Sequence, residues 1–589
     1  MSHHQLVRRA LQPGAARLIF PWRKPKSKAL AEFPLPGSQR APRSDPQGLP
    51  ALPCPTPAPP VVPMTPEPAP PRQSGISLWA RIRVATRLLI ELRKPDFQAA
   101  GTFVRMRYGG QAWPLRWCRF IGWALRQIWV VIPDALRDLH IPRGVSRTPM
   151  WLLADNPLAN HPWREHPQQT LPARADTVVI GAGFTGAALA YHWGQHRPDG
   201  RSLVILEMDD PASGSSGRNE GLVVMGRYFM MVRETVRQNL DRVRPDLTGP
   251  ERLRLAEQFA DRYCRAAYRN ADLIEETIRR ESFECDYARA GWVQRRGAAE
   301  QEALSESVRL ATTSGHADWT SIAPEEVLTR TGMRVQHNAG FSVAAASWHP
   351  AKWVWCLLEN ALQNGGVQLF TRTRVKGLTD TGDDYRVETS RGTVAARHVV
   401  LATESYTPAL QGAFHDAILP IQEQAASGEG GPAAMRPHVG ISGAWWFAGR
   451  YGQRVLFGSG GSRVRDNEAG RNRPSRFLTK FIGGEMKASY GPYQLELQNE
   501  WSGTVGYTPD EFPIVGRCDE KRRYIIAGMC GSGSGVSFNA ARCVVNRILG
   551  RDDEIDDYPA EYFSPRRLLD PSNHRWPDLE LESEDQTNA

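Results

Sequence analysis

The chain has 589 residues, more than one hydrophobic core normally serves, so two or three structural units are expected. Its composition has 41% hydrophobic residues, no uninterrupted apolar stretch of ~20 residues, and eight scattered cysteines without CxxC or Cys/His spacing, which argues against a membrane-spanning helix and a metal site. The net charge of +10 comes from residues 1–150, where 23 basic residues face 7 acidic ones, because the remainder has 50 basic and 56 acidic residues.

Residues 1–75 are predicted to form a disordered, basic and proline-rich extension. The segment 42–71 has 13 prolines in 30 positions and is interpreted as an extended linker, because it offers few backbone donors and little apolar surface to bury. The first acid is Glu32, and no continuous apolar stretch precedes a small-residue cleavage site. The start is therefore a poor secretory signal, while an arginine-rich organellar presequence stays an open alternative.

Residues 76–150 are predicted to contain basic amphipathic helices. Apolar residues recur at helical spacing in two runs: Leu78, Ile82, Ala85, Leu89 and Leu92 in the first, and Trp117, Ile121, Ala124 and Ile128 in the second. The flanking arginines and tryptophans are typical of a helix on a membrane surface. Helices that dock on a protein body have the same pattern. Peripheral membrane contact through residues 76–131 and docking on the body are both left open.

Three glycines interrupt the apolar run TVVIGAGFTGAALA at residues 177–190. A buried strand is expected to end at Gly181 in a tight turn, Gly183 to admit a pyrophosphate to backbone N–H groups, and Gly186 to let the next helix pack on the strand. Glu207 ends the following apolar strand, 21 positions after Gly186. A carboxylate at that spacing receives ribose hydroxyls. The pattern predicts a dinucleotide whose diphosphate lies at the helix N-terminus.

Strand and helix signals alternate from about residue 174. Residues 228–280 interrupt them with a helical, charged stretch that we interpret as an insertion, and strand-like runs return at RVLFGSG and YIIAGMC. No internal repeat is present. This alternation favours a parallel sheet with helices on its faces.

Several later stretches match one family in order. They are PASGSSGRNEGLV (211–223), HPAKWVWCLLENALQNGGVQLFTRTRV (349–375), HVVLATESYTPAL (398–410), GTVGYTPDEFPIVG (503–516) and YIIAGMCGSGSGVSFNAARCVVNRIL (524–549). Together with the glycine turn, they resemble the D-amino-acid-oxidase-like FAD-dependent oxidoreductases, which include glycine, sarcosine and γ-glutamylputrescine oxidases. The family's version of the third stretch reads VVLATNAYT.

The resemblance implies the fold class and the domain boundaries. The chain would be α/β with an α+β second domain: a Rossmann-type FAD-binding domain with an inserted antiparallel-sheet substrate domain, preceded by the disordered and helical extension. The oxidoreductase would span 174–550, followed by a C-terminal tail at 551–589. The FAD-binding parts would be about 174–227, 345–412 and 500–550, and the substrate or cap parts about 228–344 and 413–499.

The resemblance also implies FAD as the cofactor. Its binding residues would be the three glycines, Glu207, Ser216, Arg218, Asn219, Val375, Gly528, Gly533, Gly535 and Val536. Val375 would contact the adenine side through its backbone. The glycines near residue 530 bring the backbone close to a ligand, and the helix that follows would stabilise negative charge on a reduced flavin. Relatives with covalent FAD have a histidine or cysteine where this chain has Gly217 and Gly503, so non-covalent binding is predicted.

The implied reaction is hydride transfer to flavin N5 from a C–H beside an amine nitrogen, and the imine product then hydrolyses. The substrate would be a small-molecule amine or amino acid. Arg463 and Tyr507 are the candidates for binding a substrate carboxylate, and no catalytic residue is assigned. Some oxidases activate dioxygen with a lysine, but the strand-like RVLFG (454–458) has Arg454 and no lysine. This favours a dehydrogenase.

Two alternatives remain. A basic, tryptophan-rich N-terminal region would suit a dehydrogenase that delivers electrons to a membrane quinone. It would also suit a flavoprotein that modifies RNA, although no nucleic-acid module is present in the sequence and no nucleic-acid partner is expected. The scattered cysteines fit reduced thiols, so a cytoplasmic protein, free or peripheral at a membrane, is predicted.

Overall fold

The computed structural model describes residues 77–91, 111–133, 139–140 and 144–577, apart from 197–198, 225–228, 317, 365, 444–445, 520 and 552–556. The predicted extension at 1–75, the helical position of Leu92 and the end of the predicted tail from 578 onward lie outside the described residues.

The strands of the described residues are, in chain order, β1 (Leu139–His140), β2 (Arg174–Ile180), β3 (Leu203–Leu206), β4 (Leu222–Val223), β5 (Trp292–Gln294), β6 (Trp319–Ile322), β7 (Ala339–Ser342), β8 (Ala346–Ser347), β9 (Val367–Phe370), β10 (Val375–Asp380), β11 (Tyr385–Thr389), β12 (Gly392–Leu401), β13 (Leu419–Gly430), β14 (Gly440–Ser442), β15 (Phe447–Tyr451), β16 (Arg454–Arg463), β17 (Leu495–Tyr507), β18 (Ile514–Arg517) and β19 (Arg523–Ala527).

The α-helices are α1 (Leu78–Glu91), α2 (Trp113–Arg126), α3 (Phe184–His196), α4 (Phe229–Val243), α5 (Gly249–Glu281), α6 (Gln301–Thr313), α7 (Pro324–Thr331), α8 (Pro350–Gln363), α9 (Thr407–Leu410), α10 (Arg476–Tyr490), α11 (Gly533–Leu549), α12 (Ala560–Phe563) and α13 (Arg566–Leu569). The α2 helix continues into a π-helical turn at Gln127–Val131.

The first sheet has a parallel centre in the order β19-β12-β2-β3-β9, and β10, β11 and β18 extend it with antiparallel pairs. Both faces of this centre are buried, as its near-continuous apolar strands predict. In β2, Val178 and Ile180 pack into one core cluster and Val179 into the other. Helices α3, α8 and α11 cover the second face, where the small side chains Ala187 and Ala188 of α3 are fully buried.

The second sheet has the order β1-β17-β13-β16-β15-β14-β5-β7-β6 and is mainly antiparallel. One face packs on α10, through residues such as Phe481 and Met486. The other face turns toward the first sheet, where Leu456 and Trp501 join the large core cluster. The two sheets therefore share a core, and a cavity forms between them.

The predicted fold class is confirmed, since a Rossmann-type sheet carries an antiparallel sheet inserted between its strands. The helical insertion predicted at 228–280 consists of α4 and α5, and α5 starts with a capping box of Thr248 and Glu251. The predicted boundary at residue 500 lies within β17, which belongs to the second sheet along its whole length.

The N-terminal helices dock on α10 by the edge of their apolar arc. The ring of Trp123 lies 5.8 Å from Phe477 and 6.0 Å from Phe481, and Ile132 beyond it is buried. Trp117 and Ile121, which the periodicity placed on the apolar side, are exposed. The reason is that the apolar arc is wider than the contact, so one edge packs on the body and the rest faces outward.

Candidate active site

A cavity of about 830 Å³ lies between the two sheets. Its walls come from the turn between β2 and α3, the loop after β3, the start of β10, the turn after β12, strands β13 and β17, and the loop before α11. Carboxyl ends of parallel strands are where open α/β sheets bind their ligands. Its size is within the range of cofactor sites.

The glycine turn has the geometry that its sequence predicts. Gly181 has a φ of +108°, which L side chains rarely adopt. A Cβ on Gly183 would lie 2.7 Å from Ser216 Oγ, and a Cβ on Gly186 would lie 1.9 Å from the carbonyl oxygen of Gly181. Gly181 and Gly183 line the cavity, whereas Gly186 lies behind them at the helix–turn contact.

The N-terminus of α3 opens onto the cavity. Ser216 Oγ accepts a hydrogen bond of 2.9 Å from Phe184 N–H. The N–H groups of Gly183 and Thr185, both in the cavity wall, donate to no other group of the described residues. Unpaired N–H groups at a helix N-terminus, next to a glycine whose missing Cβ leaves room, suit a diphosphate.

Glu207 lies at the end of β3 with its carboxylate at the cavity wall. Its Oε2 accepts from Ala182 N–H at 2.7 Å and its Oε1 from Asp209 N–H at 2.9 Å. Burial raises the pKa of this carboxyl even though both N–H donors lower it. Each oxygen keeps acceptor capacity beyond its one backbone donor, which is what a pair of ribose hydroxyls requires.

The loop after β3 is held by its own polar side chains. Arg218 Nε donates to Ser213 O at 2.8 Å and Nη1 to Ser502 O at 3.1 Å, and burial lowers the pKa of this guanidinium. Asn219 Nδ2 donates to Ser216 O at 2.8 Å. Arg218, Asn219 and Ser216 all line the cavity. The loop therefore presents a fixed cation and a fixed turn to a ligand.

The other predicted cofactor residues divide into two sets. Val375, at the start of β10, and Gly533, at the start of α11, line the cavity. Gly528, Gly535 and Val536 do not; Gly528 packs on Thr508, and Val536 is fully buried. These three support the turn and the helix rather than form the cavity wall.

The structure adds Glu404, which the sequence analysis did not single out. It lines the cavity with a φ of +44°, and its carboxylate accepts from Gly506 N–H at 2.9 Å and Met529 N–H at 3.3 Å. Burial raises its pKa to about 7. The sequence carried a signal for it, because HVVLATESYTPAL has this glutamate where the family pattern has asparagine.

Substitution Glu404→Gln is expected to remove part of the pH dependence of stability. The pKa of the Glu404 carboxyl is about 7 in the folded protein and about 4.5 in the unfolded chain. Its contribution to the free energy of unfolding is therefore complete below about pH 4.5 and is lost as pH rises through 7. The difference between the free energies of unfolding of the wild type and the variant (wild type minus variant) should therefore fall by about 1–3 kcal/mol between pH 5 and pH 8. Urea unfolding at both pH values measures it. Glu429→Gln, on the exposed end of β13, is the control, and a pH-independent difference would contradict the prediction.

The predicted substrate residues are not together. Arg463, at the end of β16, is exposed and is not in the cavity wall. Tyr507 is buried behind the wall, and its hydroxyl donates to Glu423 Oε1 at 3.0 Å.

Glu423 and Glu220 line the cavity at the second sheet. Burial raises the pKa of Glu220 to about 7, and the charge of Glu423 adds to this shift. These two carboxyls lie at this wall together with the Arg218 guanidinium, which donates to Ser502 O of β17.

The residues fit FAD on their own geometry. The glycine turn leaves a cradle that a side chain at Gly183 would fill, and free N–H groups and the Glu207 carboxylate face the same cavity. Gly181, Gly183, Ser216 and Glu207 would hold the dinucleotide half. Non-covalent attachment stays a prediction.

Known proteins are similar to this chain in sequence and in fold. The model of one family, described as FAD dependent oxidoreductase, matches residues 176–547. A probable oxidoreductase OrdL of Haemophilus influenzae is 25% identical over 410 residues, covering 66% of this chain and 86% of its own. Glycine oxidase from Geobacillus kaustophilus has 17% identity and a TM-score of 0.52, covering 67% of this chain and 98% of its own. L-proline dehydrogenase from P. horikoshii has 18% identity and a TM-score of 0.53, covering 68% and 98%. The two structures show a common fold.

Proposed function

This chain belongs to the family of FAD-dependent oxidoreductases, and from that premise we propose that it oxidises a C–N bond of an amine or amino acid by hydride transfer to flavin N5. It is an enzyme, and FAD is its cofactor. The observation that carries the proposal is a single cavity in which the glycine turn and Glu207 meet the wall of the second sheet. A bound flavin would supply the hydride acceptor, and the residues of the cavity wall would orient the substrate.

The wall of the second sheet supports an amine as the reacting group. Among its described residues, Glu423 and Gln424 of β13, Phe447 of β15, and Gly503 and Val505 of β17 line the cavity. This set has one charged side chain, a carboxylate that accepts from Tyr507. A carboxylate beside an apolar wall favours a positively charged amine by Coulomb attraction and can take the proton that the ammonium must lose.

The proposal is tested by anaerobic titration of the purified full-length protein. We expect a flavin absorption spectrum that bleaches when the right amine or amino acid is added. A screen should compare primary and secondary amines with amino acids at equal concentration. A folded protein that is colourless and takes up no added FAD would overturn the proposal, and a flavin that no amine or amino acid reduces would overturn its substrate class.

For the electron acceptor we propose a membrane quinone, on the evidence of the N-terminal helices. No helix of the described residues has the length and apolarity to cross a bilayer. However, among the residues that the structure describes, eleven of the fifteen exposed large hydrophobic side chains lie between residues 78 and 130, with Trp79 78% exposed and Trp113 69% exposed. Val84 of α1 and Trp123 of α2 pack against the same cluster of Ile132, Phe477 and Leu478. We call the exposed apolar side chains between residues 78 and 130 the N-terminal patch.

The N-terminal patch is positively charged, which favours an anionic membrane surface as its partner. Residues 77–91 and 111–133 contain six arginines and a single acid, Glu91. Arg83, Arg87, Arg119 and Arg126 are exposed among the apolar side chains. Apolar and tryptophan side chains ringed by cations bind an anionic bilayer surface, where the apolar groups enter the acyl boundary and the cations contact headgroups.

The double substitution Trp113→Ser with Trp117→Ser is expected to lower vesicle binding of the full-length protein about tenfold or more, because two exposed indoles no longer enter the interface. Co-sedimentation with phosphatidylcholine vesicles that contain phosphatidylglycerol measures it. Leu328→Ser with Val343→Ser removes two exposed apolar side chains elsewhere and should leave binding unchanged. Wild-type protein that ignores these vesicles, or prefers RNA to them, would contradict the membrane proposal. Rapid peroxide release on admitting air would contradict the quinone.

A further inference from the structure

Three consecutive carbonyl groups of the loop beside the cavity are each bound by a different aromatic side chain. The loop residues are 218–220, all in the cavity wall. The hydrogen bonds run from Trp501 Nε1 to Arg218 O at 2.9 Å, from Trp151 Nε1 to Asn219 O at 2.8 Å, and from Tyr451 Oη to Glu220 O at 2.5 Å. We call Trp151, Tyr451 and Trp501 the aromatic clamp.

The three donors are rigid and come from separate parts of the chain. Trp501 belongs to β17 and is fully buried, and Tyr451 ends β15. Trp151 is 2% exposed in a short helical turn, Met150–Leu153, and its ring lies 4.8 Å from that of Tyr451. Burial raises the pKa of the Tyr451 hydroxyl, so it stays a donor. The loop is therefore bound by three side chains from separate parts of the chain, and both tryptophans among them are buried.

The fit between the clamp and the loop is close. Gly221 has a φ of +74°, and a Cβ there would lie 2.5 Å from the ring of Trp151. A Cβ on Gly217 would lie 2.8 Å from Leu152 Cδ2. The glycines that flank residues 218–220 thus accommodate the turn that carries Trp151, which predicts that the loop and this turn form one packed unit.

The turn with Trp151 is itself anchored. Ser146, just before it, donates through N–H to Gln498 O and accepts from Glu500 N–H, each at 2.9 Å, so this segment runs beside β17. The family match begins only at residue 176. Trp151 therefore reaches the cavity loop from a part of the chain that precedes the residues matched by the family model.

We propose that the aromatic clamp holds the backbone of residues 218–220 in the geometry that binds FAD, and that residues 144–153 are thus an integral part of the cofactor site. The three aromatic side chains are positioning residues, since they act on the cavity through the loop. This inference rests on one part of the proposed function, namely that the cavity binds FAD.

The test uses full-length protein carrying FAD and measures the dissociation constant of FAD from the fluorescence released on dilution. The variants are Trp151→Phe, Tyr451→Phe and Trp501→Phe, which remove the donor and keep a ring. One hydrogen bond of about 1–1.5 kcal/mol corresponds to about a tenfold change, so each variant should release FAD about tenfold more readily. The visible dichroism of the bound flavin should change in all three, because the loop against it relaxes.

Tyr493→Phe is the matched control, since its hydroxyl also donates to a carbonyl, Gly483 O at 3.0 Å, but at a buried place outside the cavity wall. It should lower thermal stability without changing FAD affinity. If the clamp variants lose stability as this control does and keep the wild-type FAD constant and dichroism, the clamp is only structural and the proposal is wrong. Tyr451→Phe removes a single oxygen, so it keeps the test decisive if a tryptophan variant misfolds. Wild-type protein that binds no FAD would instead overturn the proposed function.

Discussion

Gly186→Ala is expected to raise the dissociation constant of FAD at least about 100-fold. The added methyl would lie 1.9 Å from the carbonyl oxygen and 2.9 Å from the carbonyl carbon of Gly181. Both neighbours are backbone, so the clash cannot be relieved by a side-chain rotation, and the start of α3 must move off the turn by about 1 Å or more. That displacement would carry the N–H groups of Gly183 and Thr185 away from the position proposed for the diphosphate, which would lose these main-chain hydrogen bonds.

The matched control is Gly194→Ala in the same helix. A methyl there would have its nearest contacts at 3.5 Å, an ordinary van der Waals distance. Alanine also favours a helix over glycine by about 1 kcal/mol, so this variant should keep FAD and gain slightly in stability. Equilibrium dialysis of both variants against FAD measures the difference. Gly186→Ala protein that retains flavin through gel filtration as wild type does would contradict the expectation.

Arg567→Ala is expected to lower the free energy of unfolding by about 3–5 kcal/mol, because it leaves a buried carboxylate without its cation. Arg567 is fully buried, and Asp510, its partner in the turn after β17, is 4% exposed. The guanidinium donates to both carboxylate oxygens, at 2.7 and 3.1 Å, and to the carbonyl of Phe512. It fastens α13, in the predicted C-terminal tail, to the segment that leads from the second sheet back into the first.

Arg566→Ala is the control, because Arg566 is the neighbour of Arg567 in the sequence and its side chain is exposed. A charge on the surface contributes about 1 kcal/mol or less to the free energy of unfolding. Urea unfolding of both variants at pH 7 gives the comparison. The loss should also be partly recovered when Asp510→Asn is added to Arg567→Ala, since the neutral amide is cheaper to bury than an unpaired carboxylate. An Arg567→Ala protein as stable as the Arg566→Ala protein would show that water or a rearranged partner replaces the ion pair.

Features encoded within a short stretch of chain were predictable from the sequence. Gly181 and Gly183 line the cavity, and Glu207 lines it at the end of the next strand, while their contact with a dinucleotide stays a prediction. The spacing works because a strand, a turn and a helix form one local unit, in which hydrogen bonding and the φ requirement of glycine act between near neighbours. The helical insertion and the parallel strands were predictable for the same reason: their hydrophobic periods are local.

Contacts between distant parts of the chain were not predictable from one sequence. Arg463 is the last residue of β16 and is exposed, so it does not reach the cavity wall. Glu404 lies in the cavity wall and accepts hydrogen bonds from N–H groups more than a hundred positions away in the sequence. The hydrophobic period of a helix shows that one face is apolar, but it does not show what covers that face. From the sequence, the exposed N-terminal patch could therefore not be distinguished from a helix face that packs on the protein body. The sequence by itself therefore determined the glycine turn and the family of the fold. Only the tertiary structure decided which side chains surround the cavity, because burial and donor–acceptor pairing there depend on three-dimensional neighbours that sequence separation does not encode.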